Sequence, residues 1–206
     1  MKTQVLLALL TGLAASACGP DGADPAPVEP AVVTAEPAAT PPPVATRTGR
    51  VTGADGLGVT FQHAAGLELR PCDGDAPRCQ VLIDPAAEPY MSELLTIQVF
   101  DGPLEAVAAR EAGFERDAEG RLMTTYGRFQ PVPVERFDVQ GRPGLRAVIT
   151  CGISDPETGF HAAAGECLYA VTSDGARTVV ISSSGFPNGL EAAGAMAPSL
   201  RFLAPR

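Results

Sequence analysis

Apolar and polar positions change their period several times along the chain, and each change marks a boundary. Val5 to Leu10 is a continuous apolar run, extended by Leu13 and Ala14 and followed by the small residues Ala15, Ser16 and Ala17. It is shorter than the roughly 20 apolar residues a membrane-spanning helix needs. From Gly19 to Thr48 there is no period at all. Prolines stand at 20, 25, 27, 30, 37, 41, 42 and 43, with no aromatic residue among them. Such a segment buries too little surface to offset its ordering entropy, so it reads as a disordered or polyproline-like spacer of about 3 Å per residue when extended.

After a glycine-rich stretch, Gly49 to Gly58, the period becomes two. Val59, Phe61 and His63 alternate with Thr60 and Gln62, and Leu67 and Leu69 alternate with Glu68 and Arg70 beyond Ala64-Ala65-Gly66. This predicts a β-hairpin. Gln80 to Ile83 reads as a short strand closed by Asp84-Pro85, and Leu94 to Phe100 as one with Leu95, Ile97 and Val99 on a single face. The period then lengthens. Leu104, Val107, Ala108 and Ala112 have helical spacing, with Asp101 as the candidate N-cap, Pro103 in the first turn and Gly113 as the stop.

Strands are predicted at 122–129 and 132–139, the second placed at an edge or strand start by Pro131 and Pro133. Leu145, Ala147 and Ile149 alternate up to Cys151. Residues 152–166 form the longest predicted loop of the domain. Segments 145–151, 167–172 and 177–183 form an antiparallel meander. Asn188 is a candidate cap for a last helix with Leu190, Ala193, Met196 and Ala197 on one face, limited by Pro198. The expected class is α+β: an antiparallel β-sheet packed with two main helices, preceded by a disordered Pro/Ala-rich tail. The expected divisions are 1–17, 18–48 and one globular domain over 49–206.

The first stretch gains meaning from its flanks. A charged start at Lys2, an apolar core and a small-residue site describe a secretory signal peptide. Ala15-Ser16-Ala17-Cys18 resembles the lipobox of bacterial lipoproteins. That resemblance implies cleavage before Cys18 and a diacylglycerol on its sulfur, often with a further acyl chain on the new amino group. Two or more chains hold a protein stably on a membrane, whereas one holds it marginally. Ordinary secretory cleavage at the same bond is the alternative. With Gly19 rather than Asp after the cysteine, the resemblance implies the outer membrane, facing the periplasm, in a Gram-negative source.

Charge narrows the partners. The formal net charge is −9, and losing Lys2, the sole lysine, takes it to about −10. Such a surface repels nucleic acid. Without a lysine the domain has neither Schiff-base chemistry nor a P-loop lysine. Gly53 to Gly58 lacks the preceding strand and following helix of a dinucleotide loop. Of five cysteines, Cys18 is the odd one. Cys72, Cys79, Cys151 and Cys167 admit three pairings in an oxidising compartment. Cys72–Cys79 and Cys151–Cys167 are favoured because each pair flanks a local loop.

Candidate chemistry is sparse. The two histidines are His63 and His161. His63 continues the alternation of Val59 and Phe61 and reads as a partly buried strand residue. His161 with Asp155 or Glu157 and one of Ser182, Ser183 or Ser184 composes a hydrolase triad on paper, but no Gly-x-Ser-x-Gly elbow is present. His161, Glu157 and Glu166 lack zinc-ligand spacing, so neither a metal nor a cofactor is expected. The 152–166 loop, with Ile153, Asp155, Glu157, Phe160 and His161, is the expected contact surface.

The order of elements, the turn Val139-Gln140-Gly141-Arg142-Pro143-Gly144-Leu145-Arg146 and the terminal Ser199-Leu200-Arg201-Phe202 together resemble the Mog1/PsbP-like fold over roughly residues 57–203. Members of that group are mostly non-enzymatic binding or accessory modules, and fold alone does not fix an activity. The function expected from sequence is therefore a lipid-anchored, non-enzymatic envelope module binding a protein partner or a small ligand. The alternative is a periplasmic hydrolase using His161.

Overall fold

Strand-forming residues at period two dominate from Thr46 onward, and a computed structural model shows how they pair. It describes residues 45–52, 58–73, 78–125, 129–155 and 159–204. The leader, Cys18, the proline-rich tail to residue 44 and Glu157 lie outside these. The described elements are, in order, β1 (Thr46–Thr52), β2 (Gly58–Ala64), β3 (Glu68–Pro71), β4 (Cys79–Ile83), β5 (Glu93–Asp101), α1 (Leu104–Ala112), β6 (Glu115–Arg116) and β7 (Leu122–Thr124). They continue with β8 (Val132–Pro133), β9 (Glu135–Val139), β10 (Arg142–Asp155), β11 (Phe160–Ser173), β12 (Arg177–Ser183), α2 (Pro187–Met196) and β13 (Arg201–Phe202). The class is α+β, as the sequence predicts. Among the described residues no helix is long and apolar enough to cross a membrane.

A seven-stranded antiparallel sheet in the order β3-β4-β5-β12-β11-β10-β9 forms the centre, and the predicted meander is its β10-β11-β12 portion. Alternation sends side chains to two faces. On one face Leu95, Ile97, Val99, Val179 and Ile181 pack with Ala193 and Met196 of α2 and with Val59 and Phe61 of a second sheet, β1-β2-β13. On the other, Leu145, Ala147, Ile149 and Val180 pack with Val107, Ala108 and Ala112 of α1 and with Phe114. The small sheet β6-β7-β8 joins this second face through Leu122 and Val132.

Both favoured disulfides are present: Cys72–Cys79, with Cα atoms 5.4 Å apart, and Cys151–Cys167, 5.8 Å apart. The first closes the β3-β4 hairpin just beyond the Pro71–Gln80 pair. The second crosses diagonally between β10 and β11, where Cys151 faces Gly165 and Cys167 faces Ile149.

Four expectations need correction. The predicted hairpin between 59–63 and 67–70 does not form. Instead β2 pairs with β1, Phe61 lying opposite Gly49, and β3 pairs with β4. A Cβ on Gly49 would lie 2.3 Å from the Phe61 ring, so the glycine that hides β1 as a strand is what admits the ring. The 152–166 loop is a hairpin: β10 and β11 stay paired through Ile153–Ala162, Ser154–His161 and Asp155–Phe160, with one irregularity after Cys151. Asp101 does not cap α1. It ends β5 and binds Arg78 through two hydrogen bonds of 2.9 and 2.8 Å, while Pro103 occupies the cap position. Asn188 likewise sits inside the first turn of α2, whose cap is Phe186. Strand boundaries also moved: β7 ends at Thr124, the 132–139 strand divides into β8 and β9, and β1 begins at Thr46, inside the segment read as linker.

Candidate functional site: an apolar cleft beside helix α2

Helix α2 begins hard against β5. A Cβ on Gly189 would lie 2.6 Å from the Leu94 carbonyl oxygen and 2.3 Å from the Ser184 hydroxyl, so only glycine allows this approach. Further along, α2 turns Ala192 and Ala195 toward the strands beside it, and these short side chains do not fill the space between them. A cleft of about 290 Å³ results, walled by Leu67, Leu82, Leu94 and Met196. Its volume is near the lower end for small-molecule sites.

The polar groups of the cleft come from four elements. Thr46, Gln62 and His63 come from β1 and β2, Asp84 follows β4, and Asn188 and Glu191 lie on α2. The His63 Nδ1 is 2.9 Å from the Ala64 carbonyl oxygen. A carbonyl oxygen only accepts, so in neutral His63 the Nδ1 carries the proton and Nε2 is the acceptor. Asp84 Oδ1 accepts the Ala86 N–H at 2.9 Å. No ion pair among the described residues engages Asp84 or Glu191.

The β1-β2-β13 wall is held in place by a buried guanidinium. Arg177 on β12 donates from Nη1 to the Gly58 carbonyl at 3.3 Å and from Nη2 to the Leu203 carbonyl at 2.9 Å. Its Nε donates to Asp174 Oδ2 at 3.0 Å. The Phe202 ring lies between Arg177 and Arg142, whose guanidinium carbons are 5.3 and 5.2 Å from its centroid. Burial pushes the Asp174 carboxyl up, but the Arg177 N–H and guanidinium, with the Ala176 N–H, outweigh it and hold the group below the ordinary carboxylate range.

The residues singled out by sequence fall elsewhere. Ile153, Asp155, Phe160 and His161 lie on the paired end of the β10-β11 hairpin. Ser183 accepts the Leu168 N–H at 2.8 Å and donates to the Ser184 carbonyl at 3.2 Å. The Ser184 hydroxyl is buried with no partner among the described residues. Gly165 is the β11 residue that meets Gly185, beside Ser184: a Cβ on it would lie 2.3 Å from the Gly185 carbonyl oxygen. His161 stands four residues further along the strand, a backbone separation on the order of 13 Å. The predicted serine and histidine positions are therefore not brought together. His63 is partly buried, as its alternation predicts. Its place in a cleft was missed because β2 leaves the expected hairpin. The Ala192 and Ala195 positions on α2 were the available signal.

No protein-family model and no curated protein matches the sequence. Two solved structures are similar in arrangement. One is a crystal structure of a protein from Bacteroides thetaiotaomicron, with a TM-score of 0.47, 8% identity, and coverage of 76% of this chain and 48% of that one. This chain thus spans about half the length of that protein. The other is the solution structure of cyanobacterial PsbP (CyanoP) from Synechocystis, with a TM-score of 0.41, 13% identity, and coverage of 76% of this chain and 92% of that one. At these scores neither similarity transfers a function.

Proposed function

We propose that this chain is a lipid-anchored, non-enzymatic cell-envelope protein whose domain is a binding module carried on a spacer. The leader, the Ala15-Ser16-Ala17-Cys18 sequence and the proline-rich tail support the anchor and its outer-membrane, periplasm-facing placement. The observation that carries the binding role is the cleft beside α2: a preformed apolar recess with a few convergent polar groups. The assignment of the domain to the Mog1/PsbP-like group belongs to this proposal and rests on element order and the 139–146 turn.

The test is purification from the native envelope in mild detergent, with mass spectrometry of the intact protein and of what accompanies it. A mature chain acylated on Cys18, with a stoichiometric companion protein or small molecule, is the expected result. An unlipidated chain with neither would refute the proposal. Cys18→Ser is expected to accumulate as uncleaved precursor or as soluble protein.

A further inference from the structure

We propose that the cleft beside α2 is a site for a small ligand with an apolar body and a cationic, ammonium-type head. This deepens the binding-module reading and rests on it. The walls, Leu67, Leu82, Leu94 and Met196, offer only dispersion contact and apolar burial. The charged side chains that line the cleft are Asp84 and Glu191, both without an ion-pair partner among the described residues.

The neutral groups lean the same way. In its neutral form His63 uses its Nδ1 proton on the Ala64 carbonyl, which leaves Nε2 as an acceptor. The Gln62 amide nitrogen donates to Thr48 at 2.7 Å. Among the described residues no lysine or arginine lines the cleft. Arg47 is opposite His63 in the β1-β2 pairing, so its exposed side chain shares that face of the sheet without being part of the cleft lining. An anionic head would meet two carboxylates and a chain of net charge −9. A cationic head meets unneutralised carboxylates and acceptor atoms, while its apolar body leaves water.

The experiment uses the full chain in phospholipid nanodiscs, with empty nanodiscs as reference. Three probes share one body and differ in the head: 2-phenylethylammonium, 2-phenylethanol and 3-phenylpropionate. Binding is read by ligand-observed NMR at neutral pH and low salt. The ammonium probe is expected to bind about tenfold tighter than the carboxylate, the size of two exposed ion pairs. Asp84→Asn with Glu191→Gln should bring the ammonium and carboxylate probes to near parity. Asparagine keeps the acceptor for the Ala86 N–H, so the fold is retained. Equal binding of all three probes, or preference for the carboxylate, would overturn the cationic assignment and leave the cleft as a binding site. Binding of none would overturn the cleft as a ligand site as well.

Discussion

The two faces of the central sheet each carry one helix of similar length, yet they end differently. Under α1 the space is filled: Val107 and Ala108 are 1% and 0% exposed, and Phe114 closes the end of the helix at 2%. Under α2 the helix touches the sheet through Ala193 and Met196 but leaves a cleft beside Ala192 and Ala195. The cause is local. α1 is followed by an aromatic residue and a small sheet that pack onto its face. α2 presents alanines toward a separate sheet held by Arg177. This sheet carries apolar residues on both faces and buries both, but the packing on the α2 side is left incomplete at its edge, which is what keeps a recess. The α1 face carries stability, and the α2 face carries the candidate site.

The largest effect should come from the filled face. Phe114→Ala removes a fully buried ring and is expected to cost about 3–5 kcal/mol, read as a lower urea midpoint at unchanged slope. A loss under 1 kcal/mol would show that the α1 face is no better packed than the other. Next is the clasp that holds the cleft wall. Arg177→Ala removes the guanidinium from the half-buried Asp174, which keeps only the Ala176 and residue-177 backbone N–H groups, and from the Leu203 carbonyl, while the Gly58 carbonyl keeps the Leu203 N–H; the expected cost is about 3 kcal/mol.

The same clasp has a pH signature. The folded Asp174 carboxyl lies below its ordinary value, so its contribution is fully present above the unfolded value near pH 4. It is lost as the pH falls through the lower folded value. Asp174→Asn should therefore flatten part of the acid limb of the stability curve below about pH 4. Unchanged acid dependence would mean that Arg177 acts through the two carbonyls alone.

The disulfides repeat the contrast more gently. Cys151–Cys167 closes 16 residues within the α1-side cluster, and Cys72–Cys79 closes 7 at the edge hairpin. The chain-entropy relation gives about 3 kcal/mol for the first and about 2.4 kcal/mol for the second. Paired Cys→Ser variants, compared by denaturant midpoint, should keep that order. The reverse order would point to packing at the Cys72–Cys79 end that loop length does not describe.

Sequence showed the central sheet and α1 better than the cleft, for a physical reason. Leu95, Ile97, Val99, Leu145, Ala147 and Ile149 announce the sheet through alternation, and Val107 and Ala108 announce α1 through helical spacing, because burial imposes both periods. The disulfides were legible from loop spacing. β1 was not, since Gly49 must lack a side chain to admit Phe61 and so breaks the strand pattern. The far end of the β10-β11 hairpin was hidden in the same way by Gly152 and the Ala162-Ala163-Ala164-Gly165 run. The cleft was hardest to read, because it depends on which strand β2 pairs with, a non-local choice that periodicity does not encode.

The smallest effect separates the faces most directly. Ala108 and Ala192 are both helical alanines directed at the sheet layers, one fully buried and one at the cleft. Replacing each by leucine costs little in helix propensity, so the difference reports space alone. Ala108→Leu forces extra methyls into a filled core and should lose about 1–3 kcal/mol. Ala192→Leu enters open volume, exchanges water contact for contact with Leu82 and Leu94, and should change the urea midpoint by under about 1 kcal/mol in either direction. It should also abolish binding of 2-phenylethylammonium. Retained binding in a stable Ala192→Leu protein would place the probe outside the cleft, and equal destabilisation by the two leucines would mean that the α2 face is as tightly filled as its opposite.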